Sequence, residues 1–431
     1  VIYAGFVAVP LNLVAGPAVM GYTIEHSETK VIFVADECME LIAAAQQEVD
    51  SQPLKFRLDL EKGPVWQDAI PEKQSLKTPH ADSIGLLMYT SGTTGKPKGV
   101  MLSHSNLIAA GRYISSGHAI TNKDRALCVL PIYHINGLCV TVMGTLVSGS
   151  MLVIPYRFSV STFWQTLTSY KCSWFSAVPT QYAYILNNDD PVENLTHLRF
   201  ARSASAPLSP DIHRRFEKRF SVPIIETMGL TETGSQITTN PLPPAERKIG
   251  SPGMTYGNDI KVGDETLTTV PTGDVGEILV RGENVMQGYF KRPEETAKTI
   301  TSDGWLRTGD LGYMDADGFI FVVGRIKELI IKGGENIAPR EIDEALLEHP
   351  SILEAAAFAV PCVNYGERVE ACVRFKGSSI VNSDELLAHC VSKIGKFKSP
   401  DHIHVMDDLP KGPSGKVQRL KLYTIIYEST N

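Results

Sequence analysis

The chain is predicted to be an α/β protein, with a large multi-layer α/β N-terminal domain over residues 1–325 that turns β-rich toward its end, and a small α+β domain over residues 326–431. Three observations predict this. Up to about residue 235, short apolar runs alternate with stretches of helical periodicity. Between about residues 250 and 325 glycines, Asp-Gly turns and short alternating runs take over. Beyond residue 325, amphipathic helices alternate with strand-like runs on a smaller scale.

In the first region "KVIFVAD", "IGLLMYT", "RALCVLP" and "SMLVIP" read as strands buried on both faces. "SNLIAAGRYISSG", "STFWQTLTSY" and "PDIHRRFEKRF" read as the helices between them. "GDVGEILVRG" and "GWLRTGDLGYMDADGFIFVVGR" carry the β-rich region. In the last region "PREIDEALLEHP" is predicted helical, with Pro339 near its start and Ile342, Ala345 and Leu346 on one face. "EAAAFAVP" and "EACVRFKG" are strands, and Asn382 followed by Glu385 three residues later predicts a capping box for "NSDELLAHCVSKI".

Composition excludes several classes. Of 431 residues, 43% are hydrophobic and 21% charged, and the net charge of −7 argues against a nucleic-acid binder while leaving room for a local basic loop. The seven cysteines are scattered without a C-x-x-C pair, and most lie in apolar runs, which predicts buried free thiols in a cytoplasmic, reducing setting. Residues 126–156 carry no Asp, Glu, Lys or Arg, but Pro131, Gly137, Gly144, Gly149 and Pro155 interrupt them, so a buried helix and a short buried strand are expected rather than a membrane span.

Four separated stretches carry the chemistry. "YTSGTTGKPKG" follows a predicted strand and combines glycines, hydroxyls, Lys96 and Lys98, a composition suited to gripping phosphate. Its spacing is not that of the common P-loop, since only two residues separate Gly92 from Gly95 and Pro97 follows Lys96. The strand's carboxyl end is also where open α/β sheets bind ligands. "MGLTETG" sets Glu232 among threonines, which reads equally as a magnesium ligand set or as a helix start. "WLRTGDLGYMDADGF" places Asp310 in a Gly-flanked turn where it can accept from a ribose diol, with Arg325 able to donate to the same sugar; Asp315 and Asp317 read as turn residues. Lys416 follows Pro413, Ser414 and Gly415, so it can reach across a site to neutralise charge on a phosphoryl group.

In this order and over nearly the whole chain, these stretches resemble the adenylate-forming superfamily: acyl-CoA synthetases, adenylation domains of peptide synthetases, and beetle luciferase. "VIYAGFVAVPLN" resembles a segment that in the family follows several dozen further residues, which implies a large domain incomplete at its start. The resemblance implies a mobile lid formed by the small domain, with Lys327 as hinge. It implies ATP, Mg²⁺ and coenzyme A as cofactor and co-substrates, and a small carboxylic acid as substrate. Thr90, Ser91, Gly92, Thr93, Thr94 and Lys98 would orient the ATP phosphates; Ser205, Ala206, Pro207, Met228 and Gly229 would lie around AMP; Asp310 and Arg325 would hold the ribose. Thr231 and Glu232 would meet the α-phosphate and metal, and Lys416 the carboxylate and α-phosphate. Met228 stands where the family usually has a tyrosine.

Branch features narrow this reading. In "LPIYHINGL", His134 occupies the point where α-amino-acid-activating domains carry Asp, and it resembles the gating histidine of acyl- and aryl-CoA ligases. Gly333, Gly334 and Glu335 match the hairpin that lines the pantetheine tunnel of CoA ligases, which fatty acyl-AMP ligases typically lose. The expected activity is therefore an AMP-forming acid–CoA ligase. An acyl-AMP ligase loading a carrier protein and a non-catalytic nucleotide-binding relative are the alternatives. "RFSVSTFWQTL", "SWFSAVPT" and "NPLPPAERKIGSPG" look like the oxalyl-CoA synthetase branch, although Gly234 and Ser235 replace its histidine after "TE". Ser203, Ser205, Ser235 and Gln236 offer hydroxyls and an amide, but no charge, to a second carboxylate. A homodimer without transmembrane segments completes the expectation.

Overall fold

A computed structural model of the chain describes residues 1–59, 62–64, 77–90, 96–188, 194–377, 381–412 and 416–428. Its centre is a seven-stranded sheet. From one edge the strands run Met254–Thr255, Ser235–Thr239, Ile224–Leu230, Phe200–Ser203, Trp174–Ala177, Arg125–Cys128 and Met151–Val153. The five from Ile224–Leu230 onward are mutually parallel, Ser235–Thr239 is antiparallel to them, and Met254–Thr255 is antiparallel to Ser235–Thr239. Every residue of Trp174–Ala177 and Phe200–Ser203 is buried, because helices cover both faces. Helices Val160–Ser169 and Pro210–Phe220 place Phe163, Trp164, Phe216 and Phe220 on one face. Ile114 of helix His104–Gly117 packs on the other face with Trp174, Phe200 and Ile225.

The strand "IGLLMYT" is not part of that sheet. Ile84–Thr90 pairs antiparallel with Lys98–Ser103, and Gly288–Tyr289 adds a third strand. The Gly/Lys loop thus joins the arms of a hairpin instead of leading from a parallel strand into a helix. A strand buried on both faces has no period to reveal its partner's direction.

The β-rich region forms a four-stranded antiparallel sheet of Asp259–Gly263, Gly276–Arg281, Leu306–Met314 and Ile320–Arg325. At its hairpin Asp315 Oδ1 accepts from the backbone N–H groups of Asp317 and Phe319, and Lys248 bonds both aspartates, so these two are turn residues as expected.

The small C-terminal domain is built on Glu335–Ile337, Ile330–Lys332, Gly366–Phe375 and Ile352–Cys362, with His402–Val405 also on Gly366–Phe375. Helices Pro339–Leu347 and Ser383–Lys398 bury Ile342, Leu346, Leu386 and Cys390 against it. Only half of the expected capping box forms: the Asn382 side chain accepts from the Asp384 N–H, while Glu385 turns to His349 at 3.6 Å.

In the uncharged stretch, π-helical turns Asn136–Met143 and a short helix Gly144–Ser148 precede Met151–Val153, an edge strand that is partly exposed rather than buried. Among the described residues no helix is long and apolar enough to cross a membrane. All seven cysteines are free; five are buried, and Cys38 and Cys362 are half-buried.

Candidate active site

Two cavities, of about 280 and 520 Å³, share Ser205, Gly229, Arg325, Glu328 and Lys416 in their walls and form one cleft. The smaller is lined further by Ala206, Pro207, Met228 and Asp310. The larger is lined by Thr90, Lys98, His134, Thr231, Glu232 and Lys327. Most of the site residues read from the sequence therefore converge, although they come from distant chain segments. Ser91, Gly92, Thr93 and Thr94 lie outside the described residues, as do Pro413, Ser414 and Gly415. Gly333, Gly334 and Glu335 are exposed at a hairpin tip and line neither cavity.

Backbone geometry shapes the wall that the two cavities share. Gly229 cannot carry a side chain, since a Cβ there would lie 1.8 Å from the Ser235 carbonyl oxygen. Ser205 sits at φ +74°, an uncommon conformation for a residue with a side chain, and its hydroxyl accepts from Asn136 Nδ2 at 3.0 Å.

Asp310 and Arg325 face each other across adjacent strands, with Arg325 Nε donating to Asp310 Oδ1 at 2.8 Å. Burial pushes the Asp310 carboxyl up, opposed by the charges of Arg325 and Lys416. The Asp310 charge, in turn, holds the Arg325 guanidinium up. Burial, followed by the neighbouring Arg325 charge, pushes the Lys416 ammonium down. Arg419, three residues on, anchors this segment through a part-buried ion pair with Asp343 and hydrogen bonds to the Ala357 carbonyl and Glu328.

Glu232 lies in a single 3₁₀ turn, Thr231–Thr233. The turn is held by Thr233, whose hydroxyl reaches the Leu230 and Ser235 carbonyls. Glu232 Oε1 accepts from the Tyr289 hydroxyl at 2.8 Å. Lys98 Nζ lies 4.1 Å from the centre of the Tyr289 ring and 3.3 Å from Glu295, so Lys98, Tyr289 and Glu232 line one wall in contact. No group of three or more His, Cys, Asp or Glu among the described residues could hold a metal. Magnesium does not require one, since it is commonly held by one or two carboxylates together with substrate phosphates, and Glu232 beside Thr231 on the cavity wall fits that pattern.

His134 accepts at Nδ1 from the Asn136 backbone N–H at 3.3 Å, and burial pushes its imidazole down to about 4, so it is neutral at pH 7 with the proton on Nε2. Lys327 occupies the turn Ile326–Glu328 between the four-stranded sheet and the first strand of the small domain.

The sequence reading missed three residues of this wall. Tyr289 carried no signal in its own segment. Asn136 was visible only as the residue two after His134. Arg202 could have been noticed as a charged residue inside a strand otherwise made of Phe, Ala and Ser.

The cleft brings an Asp–Arg ion pair, a carboxylate beside hydroxyls and a half-buried lysine together between a large α/β and a small α+β domain, and comparison with known proteins gives the class of enzyme. The chain belongs to the AMP-binding enzyme family: the family model matches residues 1–290, and that of the AMP-binding enzyme C-terminal domain matches residues 341–416. It is similar to a sulfoacetate–CoA ligase of Cupriavidus necator, 47% identical over 97% of this chain and 82% of that one. It is also similar to an oxalate–CoA ligase of Arabidopsis thaliana, 34% identical over 97% of this chain and 83% of that one. Among solved structures it resembles o-succinylbenzoate–CoA synthetase of Bacillus subtilis in complex with ATP and a magnesium ion, at TM-score 0.84 and 30% identity, covering 96% of this chain and 83% of the other. The enzyme is an ATP-dependent, AMP-forming acid–thiol ligase that uses Mg²⁺ and coenzyme A.

Proposed function

We propose that the cleft performs both half-reactions on a small carboxylic acid, with the roles of its residues as follows. In the first, a carboxylate oxygen attacks the α-phosphorus of ATP, and pyrophosphate leaves with the electron pair of the α–β bridging bond. Ser205, Ala206, Pro207, Met228 and Gly229 surround the adenosine, and the Met228 thioether packs where an aromatic ring would otherwise stack. Asp310 and Arg325 hold the ribose hydroxyls. Thr90 and Lys98, with residues 91–94, orient the outgoing phosphates, and Thr231 bonds the α-phosphate. Magnesium, when bound, spreads phosphate charge, and Glu232 would hold it. Lys416 supplies positive charge where the α-phosphorus becomes pentacoordinate, an electrostatic contribution that strengthens as water is excluded from the cleft. His134, neutral and beside the acid, closes the entry path.

In the second half-reaction the thiol of coenzyme A attacks the acyl carbon and AMP leaves; the thiol proton passes to solvent. The small domain, taken as residues 326–431 against 1–325, turns about Lys327. That movement withdraws Lys416 and brings Gly333, Gly334 and Glu335 to the cleft. The exposed hairpin and the place of Lys416, half-buried in the walls of both cavities, support the view that the present arrangement serves adenylation. A homodimer and a cytoplasmic location belong to the same proposal; light scattering and fractionation test them.

The observation that carries the reading is the convergence of Glu232, Asp310, Arg325 and Lys416 on one cleft. Pyrophosphate release and thioester formation, scanned over a panel of acids headed by sulfoacetate and oxalate, test it. ATP binding with no turnover on any acid would identify a non-catalytic relative instead.

A further inference from the structure

The larger cavity has a buried positive charge in its wall without a negative partner. Arg202 lies in the middle of the central sheet, is 1% exposed, and contributes to the wall beside His134 and Asn136. Its Nη1 donates to Asn136 Oδ1 at 3.0 Å and to Ser176 Oγ at 3.0 Å, and its Nη2 donates to Gln236 Oε1 at 3.3 Å. These acceptors are all neutral. Nε has no partner, and no ion pair to Arg202 occurs among the described residues.

A guanidinium carries five N–H donors. Three are engaged, which leaves Nε–H and one Nη2–H. The Nε edge, with Nη2 beside it, is the side from which a guanidinium meets a carboxylate or sulfonate. The surroundings share the imbalance: Gln236 Nε2 and Ser203 Oγ are also buried without partners. The nearby His118 cannot balance the charge, for it is itself a would-be cation, pushed down to about 3 by burial and then by Arg202.

A purely architectural role, stitching Asn136, Ser176 and Gln236 together, would not require a charge. A buried, unpaired cation is costly, and bonds to three neutral acceptors do not supply the opposite charge. The charge is accounted for if the ligand brings the anion. Position sets the scale: Asn136 accepts from Arg202 through Oδ1 and donates to Ser205 through Nδ2, both at 3.0 Å, so the guanidinium is one side chain away from the nucleotide-facing loop. The anion it meets is therefore separated by a short spacer from the carboxylate that reacts.

We propose that Arg202 receives a second anionic group on the acid, and that the enzyme selects short acids bearing a carboxylate or sulfonate in addition to the carboxylate it activates. This rests on the ligase reading of the cleft.

The test measures pyrophosphate release by the whole chain with Mg·ATP and four probes: oxalate, sulfoacetate, acetate and propionate. At least one dianion is expected to exceed both monoanions in kcat/KM by about 100-fold or more, a ratio set by a charge left unpaired when the second anion is missing. Oxalate against sulfoacetate identifies which anion is preferred. Arg202→Met is expected to lose that advantage by about 100-fold while acetate and propionate hold or rise, with Arg202→Lys in between because it keeps the charge without the planar edge. ATP protection against thermal unfolding reports whether each variant folds. If Arg202→Met does not fold, the wild type still decides, by comparing thermal protection from ATP plus dianion with that from ATP plus propionate. Equal use of, and equal protection by, mono- and dianions would overturn the inference while leaving the ligase reading intact. So would a folded Arg202→Met that keeps the dianion preference. No pyrophosphate release with any acid in a wider panel would overturn both.

Discussion

Substitutions at Gly334 separate a conformational requirement from a spatial one. Lys332 pairs with Glu335 across a hairpin whose two central residues, Gly333 and Gly334, have φ of +61° and +85°. Both lie in the left-handed region that two-residue hairpins of this hand demand. A Cβ on Gly334 would meet nothing within 4 Å, whereas one on Gly333 would come 3.3 Å from the Tyr365 ring. Gly334→Ala therefore has room but the wrong backbone preference, at a cost of about 1–2 kcal/mol. That is a factor of roughly 5–30 in the local equilibrium between formed and frayed hairpin. Gly334→Asn tolerates the left-handed region but adds more bulk. If the hairpin serves only as a turn, Ala is the worse substitution, and it lowers protection of the hairpin amides from hydrogen exchange. If the tip lines a narrow path for the pantetheine arm, Asn is at least as damaging as Ala, Gly334→Trp is severe, and the damage falls on thioester formation from supplied acyl-AMP while pyrophosphate release is spared. The assay measures the two half-reactions separately for all three variants. Ala worse than Asn in both half-reactions would refute the proposed role of the tip in the second.

Further outcomes are expected from the same geometry. Lys416→Ala should reduce acyl-AMP formation by about 10²–10³-fold, the scale of removing a preorganised electrostatic contact, while thioester formation from supplied acyl-AMP changes little. Because burial and Arg325 push the Lys416 ammonium down, wild-type adenylation should decline on the alkaline side before the 10.5 of a free lysine, and that limb should be absent in the variant. Glu232→Gln should raise the magnesium concentration needed for half-maximal pyrophosphate release; Tyr289→Phe, which removes the hydrogen bond orienting Glu232, should raise it by about tenfold. Stability should fall as pH drops from 6.5 toward 4, because buried His118 titrates near 3 when folded but near 6.5 when unfolded, and the unfolded state therefore takes up the proton first. The slope is about 1.4 kcal/mol per pH unit below 6.5. Urea unfolding of wild type and His118→Gln at pH 7 and pH 4.5 measures it, and equal losses in the two proteins would remove His118 as the cause.

How much of this was legible depended on whether the information was local. Helix Pro210–Phe220 and helix Pro339–Leu347 could be read because periodicity and terminal proline lie within each segment. Strand Ile84–Thr90 was readable as a strand, but not its antiparallel partner, since two-sided burial erases the alternation that separates sheet types. Arg202 shows the same limit at the site. Its place in the strand Phe200–Ser203 was a local oddity, but its meaning comes from three neutral acceptors on segments 26 to 66 residues away and from the lack of any carboxylate partner among the described residues. A sequence lists charges without saying which are left unpaired.

The pairing of Asp310 with Arg325 shows how a local reading can reach the right residues and still miss what joins them. Both were picked out, and the Asp-Gly turn between them predicts a hairpin. In that hairpin Met314 pairs with Ile320, Tyr313 with Phe321 and Gly312 with Val322. Continued regularly, the register would set Gly324 opposite Asp310 and leave Arg325 one place beyond. It does not continue regularly: between Leu311 and Gly312 the ladder shifts by one, so that Gly324 meets Leu311 and Arg325 meets Asp310. The residue passed over is Val323, as in a β-bulge, where two residues on one strand oppose one on the other. Since a shift of one residue reverses the face on which every later side chain points, the bulge is what brings the guanidinium to the carboxyl at 2.8 Å. The acid–base pair at the proposed ribose site thus depends on a backbone irregularity that no property of Asp310 or Arg325 announces.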